Sequence, residues 1–140
     1  MNRNYEIVDG MYLVQGHYEL DLHNNFDFKS FEYSLSERKL ALNFERSSGN
    51  WVKLDTPKEL IIEFKGVSEF RFLPRDSEKP FTEDDCICHF GHLVNEDWAQ
   101  GVIMLNANQI ADPTWLAAVE FMSGAILAVQ AKVSIATVSA

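Results

Sequence analysis

The chain has 140 residues, of which 12 are basic and 21 acidic, and its formal net charge is −9 at pH 7. A negative field of this size repels phosphate backbones, so the composition argues against nucleic acid. The charge either only keeps the protein soluble or attracts a basic protein partner. Hydrophobic residues make up 46% of the chain, yet no apolar run reaches the roughly 18 residues that a membrane helix needs. We therefore expect one globular domain over residues 1–140 and no membrane span.

The amino terminus and the cysteines indicate the compartment. The first segment has no long apolar core and no small-residue cleavage site, so it predicts a cytoplasmic protein without a secretory signal. Cys86 and Cys88 are separated by one residue, and in one extended strand their Cα atoms lie close to the upper limit for a disulfide. We therefore expect both cysteines to be reduced thiols, which is typical of cytoplasmic proteins.

The first half of the chain alternates apolar and polar residues, as half-buried strands do. Residues 17–23 are the first such run. Residues 31–35 and 40–44 are two more, and the short polar link between them predicts a β-hairpin. Residues 51–54 predict a short strand that ends before Pro57, because proline cannot donate to a sheet ladder.

The second half continues the pattern. Residues 60–65 and 70–72 predict another hairpin, and residues 73–85, with their prolines and many charged residues, predict a long acidic loop. Residues 101–105 predict a strand, and residues 117–135 predict a closing hairpin. About eight to ten short strands with little helix favour an all-β, mainly antiparallel fold, either a sandwich or a partly open barrel.

The segment DDCICHFGH, residues 84–92, contains the strongest metal-ligand pattern. Cys86, Cys88, His89 and His92 match in number a tetrahedral zinc site, and zinc is the one cofactor that the sequence suggests. In a regular strand, however, Cys86 and Cys88 share one face while His89 lies on the other. Two small side chains packed inside a sheet are therefore the favoured interpretation.

The same geometry argues against catalysis. A thiol nucleophile needs a histidine within hydrogen-bond reach, and the alternation places Cys88 and His89 on opposite faces. The sequence contains no nucleophile elbow, phosphate-binding glycine loop or zinc-protease helix motif. A non-enzymatic role is favoured.

Acidic side chains before and after the cysteine segment predict a recognition surface for a partner, although a solvated loop gives the same pattern. Trp98 follows the second acidic pair and is expected either to anchor a partner or to close the end of the fold, whereas Trp51 is expected in the core. The predicted partner contacts are Glu78, Glu83, Asp84, Asp85, Glu96, Asp97 and Trp98.

The order of these features resembles that of small bacterial all-β proteins, many of them uncharacterised, including immunity proteins that neutralise toxins. The resemblance rests on the hairpin at 31–44, the WVKL segment, the strand at 60–67 and the final hairpin EFMSGAILAVQAKVSI, and it spans roughly residues 26–135. It implies an acidic binding module for a basic protein such as a nuclease toxin.

Two other functions fit the sequence. The ten phenylalanines would line a cavity in a small-molecule-binding β-barrel. The cysteine and histidine cluster would make the chain a metal-binding protein. Exposed sheet edges would also allow homo-oligomers.

Overall fold

The computed structural model describes residues 1–94, 101–105 and 110–139. Over these ranges the chain forms twelve β-strands and one short 3-10 helix, Phe81–Asp85. The strands are β1 (Asn2–Arg3), β2 (Glu6–Val8), β3 (Tyr12–Gln15), β4 (Tyr18–Asp21), β5 (Phe26–Ser34), β6 (Lys39–Arg46), β7 (Glu59–Lys65), β8 (Glu69–Leu73), β9 (Ile87–Leu93), β10 (Leu116–Phe121), β11 (Ile126–Gln130) and β12 (Val133–Ser139). Within the described ranges, no helix has the length and apolar character to span a membrane.

The strands form three sheets, and the prediction of an all-β, mainly antiparallel fold is confirmed. The five-stranded sheet has the order β1-β12-β7-β6-β5, the four-stranded sheet β8-β11-β10-β9 and the three-stranded sheet β2-β3-β4. Only the β1–β12 pair is parallel in the described part of the chain. No described sheet closes into a barrel. Twelve strands exceed the predicted eight to ten, because the strands near the amino terminus are too short for alternation to reveal them.

The central pair β6–β7 explains why the alternating sequence becomes sheet. Every second side chain of each strand is buried, and the cross-strand register places these side chains opposite one another. The buried pairs are Leu40 with Phe64, Leu42 with Ile62 and Phe44 with Leu60. Each such side chain contributes about 1.5–3 kcal/mol on burial, so any shift of register by one residue would be strongly unfavourable.

One large core cluster takes buried residues from all three sheets, including Leu13, Phe44 and Val119. The four-stranded sheet is also covered on its other face, where Leu116 and Ala118 belong to a second, smaller cluster. This double cover explains why β10 and β11 are almost continuously apolar.

The predicted hairpin of β7 and β8 is wrong, because the two strands belong to different sheets. The chain leaves β7 at Gly66, which adopts a left-handed φ of 66°, and crosses to the four-stranded sheet. The closing hairpin is confirmed as β10–β11, but the chain then crosses back, so β12 pairs with β7. The two crossings are hydrogen-bonded to each other through Lys132 N to Lys65 O at 3.0 Å and Ser68 N to Gln130 O at 2.9 Å.

Two shorter predicted strands are also wrong. Residues 51–54 form turns instead of a strand, and Trp51 is 65% exposed, not in the core. Its indole N–H donates to the carbonyl of Asn24 at 2.9 Å, which holds the ring on the surface. Residues 101–105 contribute only an isolated bridge between Ile103 and His92.

Candidate functional site

A β-bulge in β9 determines where the cysteine and histidine side chains point. Ile87 pairs with Phe121 and His89 pairs with Glu120, so Cys88 is an extra residue between two consecutive partner positions. Ile87 and Phe121 are buried in the main core. Since directly paired residues share a face, His89 and Glu120 lie on the opposite face. Cys88, which follows the core-facing Ile87, points to that same face.

The bulge brings three ligand-type side chains together. Cys88 Sγ lies 3.4 Å from His89 Nδ1, and His89 Nδ1 lies 3.4 Å from Glu120 Oε1. The three ligand atoms all lie within 4.8 Å of one another, and all three residues are half-buried. The expectation that Cys88 and His89 occupy opposite faces is wrong, because regular alternation does not hold across a bulge.

His92 lies away from this group. It pairs with Ala117, which is buried in the main core, and its ring centroid is 6.4 Å from that of Trp115. Burial, with a smaller contribution from the Arg3 guanidinium, lowers the pKa of His92 to about 4. His92 therefore faces the core side of β9 as a neutral ring.

Cys86 also lies outside the group, before the first residue of β9. Its Sγ is 3.6 Å from His23 Nδ1, and that nitrogen is 2.5 Å from the carbonyl oxygen of Ile87. The structure thus does not bring the four sequence-predicted ligands together. Both cysteines are half-buried, and the core position expected for them belongs to Ile87.

Neither thiol has the environment of a nucleophile. Burial raises the pKa of Cys88, and the neighbouring Glu120 carboxylate raises it further. Burial also raises the pKa of Cys86, with added repulsion from Asp85 and other acids. In a catalytic triad the two ring nitrogens of histidine bind different partners, whereas here Cys88 and Glu120 approach the same nitrogen of His89.

A second candidate site is a groove of about 600 Å³ between the exposed edges of two sheets. We call it the phenylalanine groove, since five phenylalanines line it: Phe28, Phe31, Phe72, Phe81 and Phe121. The rings of Phe31 and Phe72 stack with centroids 5.3 Å apart, and those of Phe28 and Phe121 lie 4.9 Å apart. Phe31 is 36%, Phe72 48% and Phe81 82% exposed. Exposed rings that cluster in this way make the groove a candidate binding surface.

The acidic loop forms one wall of the groove and is held in place by Arg75. The guanidinium donates to Asp84 Oδ1 at 2.9 Å and to the carbonyl oxygens of Lys79 and Pro80, and it lies 4.8 Å from the centre of the Phe81 ring. The hydrogen bond from Arg75 holds the pKa of the Asp84 carboxyl below its usual range. Asp84 therefore fixes the loop, and its charge is largely compensated.

The other predicted partner contacts are distributed as follows. Glu78 and Asp85 are exposed, and Glu83 is half-buried. Asp85 lines the phenylalanine groove together with Asp84. Glu96, Asp97 and Trp98 lie outside the described residues.

Sequence reasoning missed Glu120 and did not identify which of the phenylalanines line a common groove. Glu120 is 31 residues from His89 in sequence, and no local spacing relates the two. The phenylalanines come from β5, β8, β10 and the 3-10 helix, so only tertiary structure assembles them. Comparisons with protein-family models, curated proteins and solved structures give no significant match.

Proposed function

We propose that the protein is a non-enzymatic binding module whose phenylalanine groove receives an apolar side chain of a basic protein partner. The observation that carries this proposal is the set of exposed rings around one groove, with Phe72 48% and Phe81 82% exposed. Aromatic side chains that already sit in one position supply large contact area at low entropic cost. Phenylalanine, with the other aromatic residues, is enriched in protein–protein interfaces.

The charges around the groove favour a basic partner. Its two cationic residues already have carboxylate neighbours: Arg75 binds Asp84, and Lys29 Nζ lies 3.9 Å from Glu45. Among the described residues, no ion pair involves Asp85. The wall of the groove therefore carries uncompensated negative charge, on a chain whose net charge is −9. Such a field accelerates association with a positive surface and repels acidic competitors.

Neutralisation of a basic toxin, such as a nuclease, is the specific role that this proposal favours. Inhibition by occlusion needs only a complementary surface, and it needs no reacting group on the inhibitor.

The test is a selection from a phage-displayed library of random peptides on the purified protein. We expect the selected peptides to combine lysine or arginine with a large apolar residue. Phe81→Ser should weaken binding of those peptides by about 30-fold, which corresponds to the roughly 2 kcal/mol of a hot-spot side chain. Leu54→Ser is the matched control, because Leu54 is 92% exposed but does not line the groove.

A second variant tests whether the negative charge near the groove contributes to peptide binding. Replacing Glu78 and Asp85 together with lysine should weaken peptide binding and reduce its dependence on salt, because surface charge pairs are screened by ions. Selection of acidic peptides, or equal losses for Phe81→Ser and Leu54→Ser, would refute the proposal. Circular dichroism of each variant checks that the fold is intact.

A small apolar molecule is the second candidate occupant of the same groove. The volume of about 600 Å³ lies within the range of about 300–1,000 Å³ that is typical of small-molecule sites. Native mass spectrometry of the untagged protein distinguishes a small molecule from a protein partner, because a retained small molecule adds a small discrete mass whereas a protein adds the mass of a second chain. Removal of an added mass by Phe72→Ser would favour the small-molecule function.

A further inference from the structure

We propose that Cys88, His89 and Glu120 bind a zinc ion at the bulge of β9, with a fourth coordination position open to water or an external ligand. Thiolate, imidazole and carboxylate are the three protein ligand types that zinc accepts. The three ligand atoms lie within 4.8 Å of one another. This proposal does not depend on the phenylalanine groove, which contains none of the three residues.

Two of the three distances between the ligand atoms match those around a single tetrahedral ion, and the third, from Sγ to Oε1, is within 4.8 Å. Zinc bonds of about 2.0–2.3 Å at tetrahedral angles separate neighbouring ligand atoms by about 3.3–3.8 Å. The Sγ to Nδ1 and Nδ1 to Oε1 distances are both 3.4 Å. An ion centred between the three atoms would therefore bind without a large movement of either strand.

The backbone fixes the ligands on a rigid part of the fold. His89 and Glu120 are direct cross-strand partners in the β9–β10 ladder, and the bulge turns Cys88 to the same face. On the other face of the sheet, Ile87 and Phe121 are almost fully buried, so a shift of the bulge by one residue would turn an apolar side chain out of the core. Bulges commonly re-aim side chains beside functional sites, and ligands on packed strands need little reorganisation to bind.

The chemistry of the set selects zinc over the hard cations. Calcium and magnesium prefer six or more oxygen ligands, whereas this group offers one carboxylate with one sulfur and one nitrogen. Structural zinc sites use four protein ligands, while three ligands and an open position are typical of sites that bind water or substrate. The side chains of His89 and Glu120 are 34% and 28% exposed, so an external ligand can reach the ion.

The first experiment uses Co²⁺ as a spectroscopic substitute for zinc in metal-stripped, untagged protein under reducing conditions. We expect one equivalent of Co²⁺ to produce a thiolate-to-metal charge-transfer band and the intense visible absorption of tetrahedral cobalt, and Zn²⁺ to abolish both. Cys88→Ser should remove the charge-transfer band and weaken zinc binding, measured against a competing chelator, by about 100-fold or more. Loss of an outer-shell partner alone typically costs 10–100-fold.

Cys86→Ser is the matched control, because Cys86 is the chain's other half-buried thiol and lies only two residues away. It should retain the band and the affinity, as should His92→Gln. Glu120→Gln should retain the charge-transfer band but weaken zinc binding, since an amide oxygen is a poorer zinc ligand than a carboxylate. Absence of any thiolate band in the wild type, or equal losses in the two cysteine variants, would overturn the proposal.

A second measurement tests the site without substitutions. The native protein is alkylated with and without zinc, and the modified positions are identified by peptide mass spectrometry. Zinc should slow alkylation of Cys88 and leave that of Cys86 unchanged. Equal alkylation rates at Cys88 with and without zinc would exclude this thiol as a ligand. Because the native protein is used, this result does not depend on whether the substituted variants fold.

Discussion

Acidification should destabilise the protein through His92, and His92→Gln should remove this part of the pH dependence. The ring lies on the core side of β9, where burial and the nearby Arg3 lower its pKa to about 4. In the unfolded chain the pKa of histidine is about 6.5. Between about pH 6.5 and pH 4 the unfolded chain therefore binds a proton at this position while the folded chain does not, so stability falls as pH falls.

The size of the effect follows from the same two pKa values. Their full difference corresponds to about 3 kcal/mol by linkage. His92 is only half-buried, and solvent screening reduces the expected loss to about 1–2 kcal/mol. This loss of unfolding free energy is nearly complete at about pH 4. Above about pH 6.5 His92 is neutral in both the folded and the unfolded chain, so its protonation costs no stability there.

Urea unfolding of the wild type and of His92→Gln at several pH values between about 7 and 4 measures this contribution. Glutamine is neutral throughout this range, so any constant cost of the substitution cancels when each protein is compared with itself at pH 7. The wild type should lose about 1–2 kcal/mol more than the variant on acidification. Parallel losses of stability in the two proteins would show that the folded chain does not disfavour the protonated ring, and would refute a pKa of His92 lowered by burial.

Substitutions at three places in the fold test the packing. Tyr5 and Ser134 share a buried hydroxyl–hydroxyl hydrogen bond of 2.6 Å. Tyr5→Phe or Ser134→Ala alone should therefore lower the free energy of chemical unfolding by about 1–3 kcal/mol, and the double variant should lose much less than the sum. Additive losses would contradict this. Gly91→Ala places a methyl group against the carbonyl oxygen of Ile103. We therefore expect the free energy of unfolding to fall by about 1–3 kcal/mol and the amide hydrogen of Ile103 to exchange faster. An unchanged exchange rate would contradict this. Phe64→Ala, at a position 1% exposed, should lower the free energy of unfolding by about 3–5 kcal/mol, and a loss below about 1 kcal/mol would place the ring outside the core.

Alternation in the sequence predicted the strands that carry most of the core. In β6 and β7 each strand is long enough for burial of every second residue to be visible in its sequence, as at Leu42 and Ile62. The same signal fails at residues 51–54, where Trp51 satisfies its indole N–H on a surface carbonyl instead of joining a sheet. It also does not reveal which strands pair, so the two crossings between sheets could not be predicted.

For the candidate metal site, the sequence indicates the segment, whereas the pairing of strands decides which of its residues come together. Cysteine and histidine are concentrated at residues 84–92, so the sequence indicates this segment as the candidate for a metal site, second to a packed strand. The ligand set itself depends on one extra residue in β9, which turns Cys88 toward His89 and leaves His92 on the other face. A bulge arises from the pairing of two strands, and the sequence of one strand does not specify it.

The sequence by itself determined the strand-forming pattern, the negative charge and the presence of free thiols, because these follow from composition and from neighbours along the chain. Tertiary structure alone decided that Glu120 lies beside His89 and that five phenylalanines line one groove. Both assemblies join residues from separate strands, and their positions are set by the burial of a shared core. Local propensity acts over a few residues, whereas cross-strand register is fixed by the simultaneous packing of all the sheets.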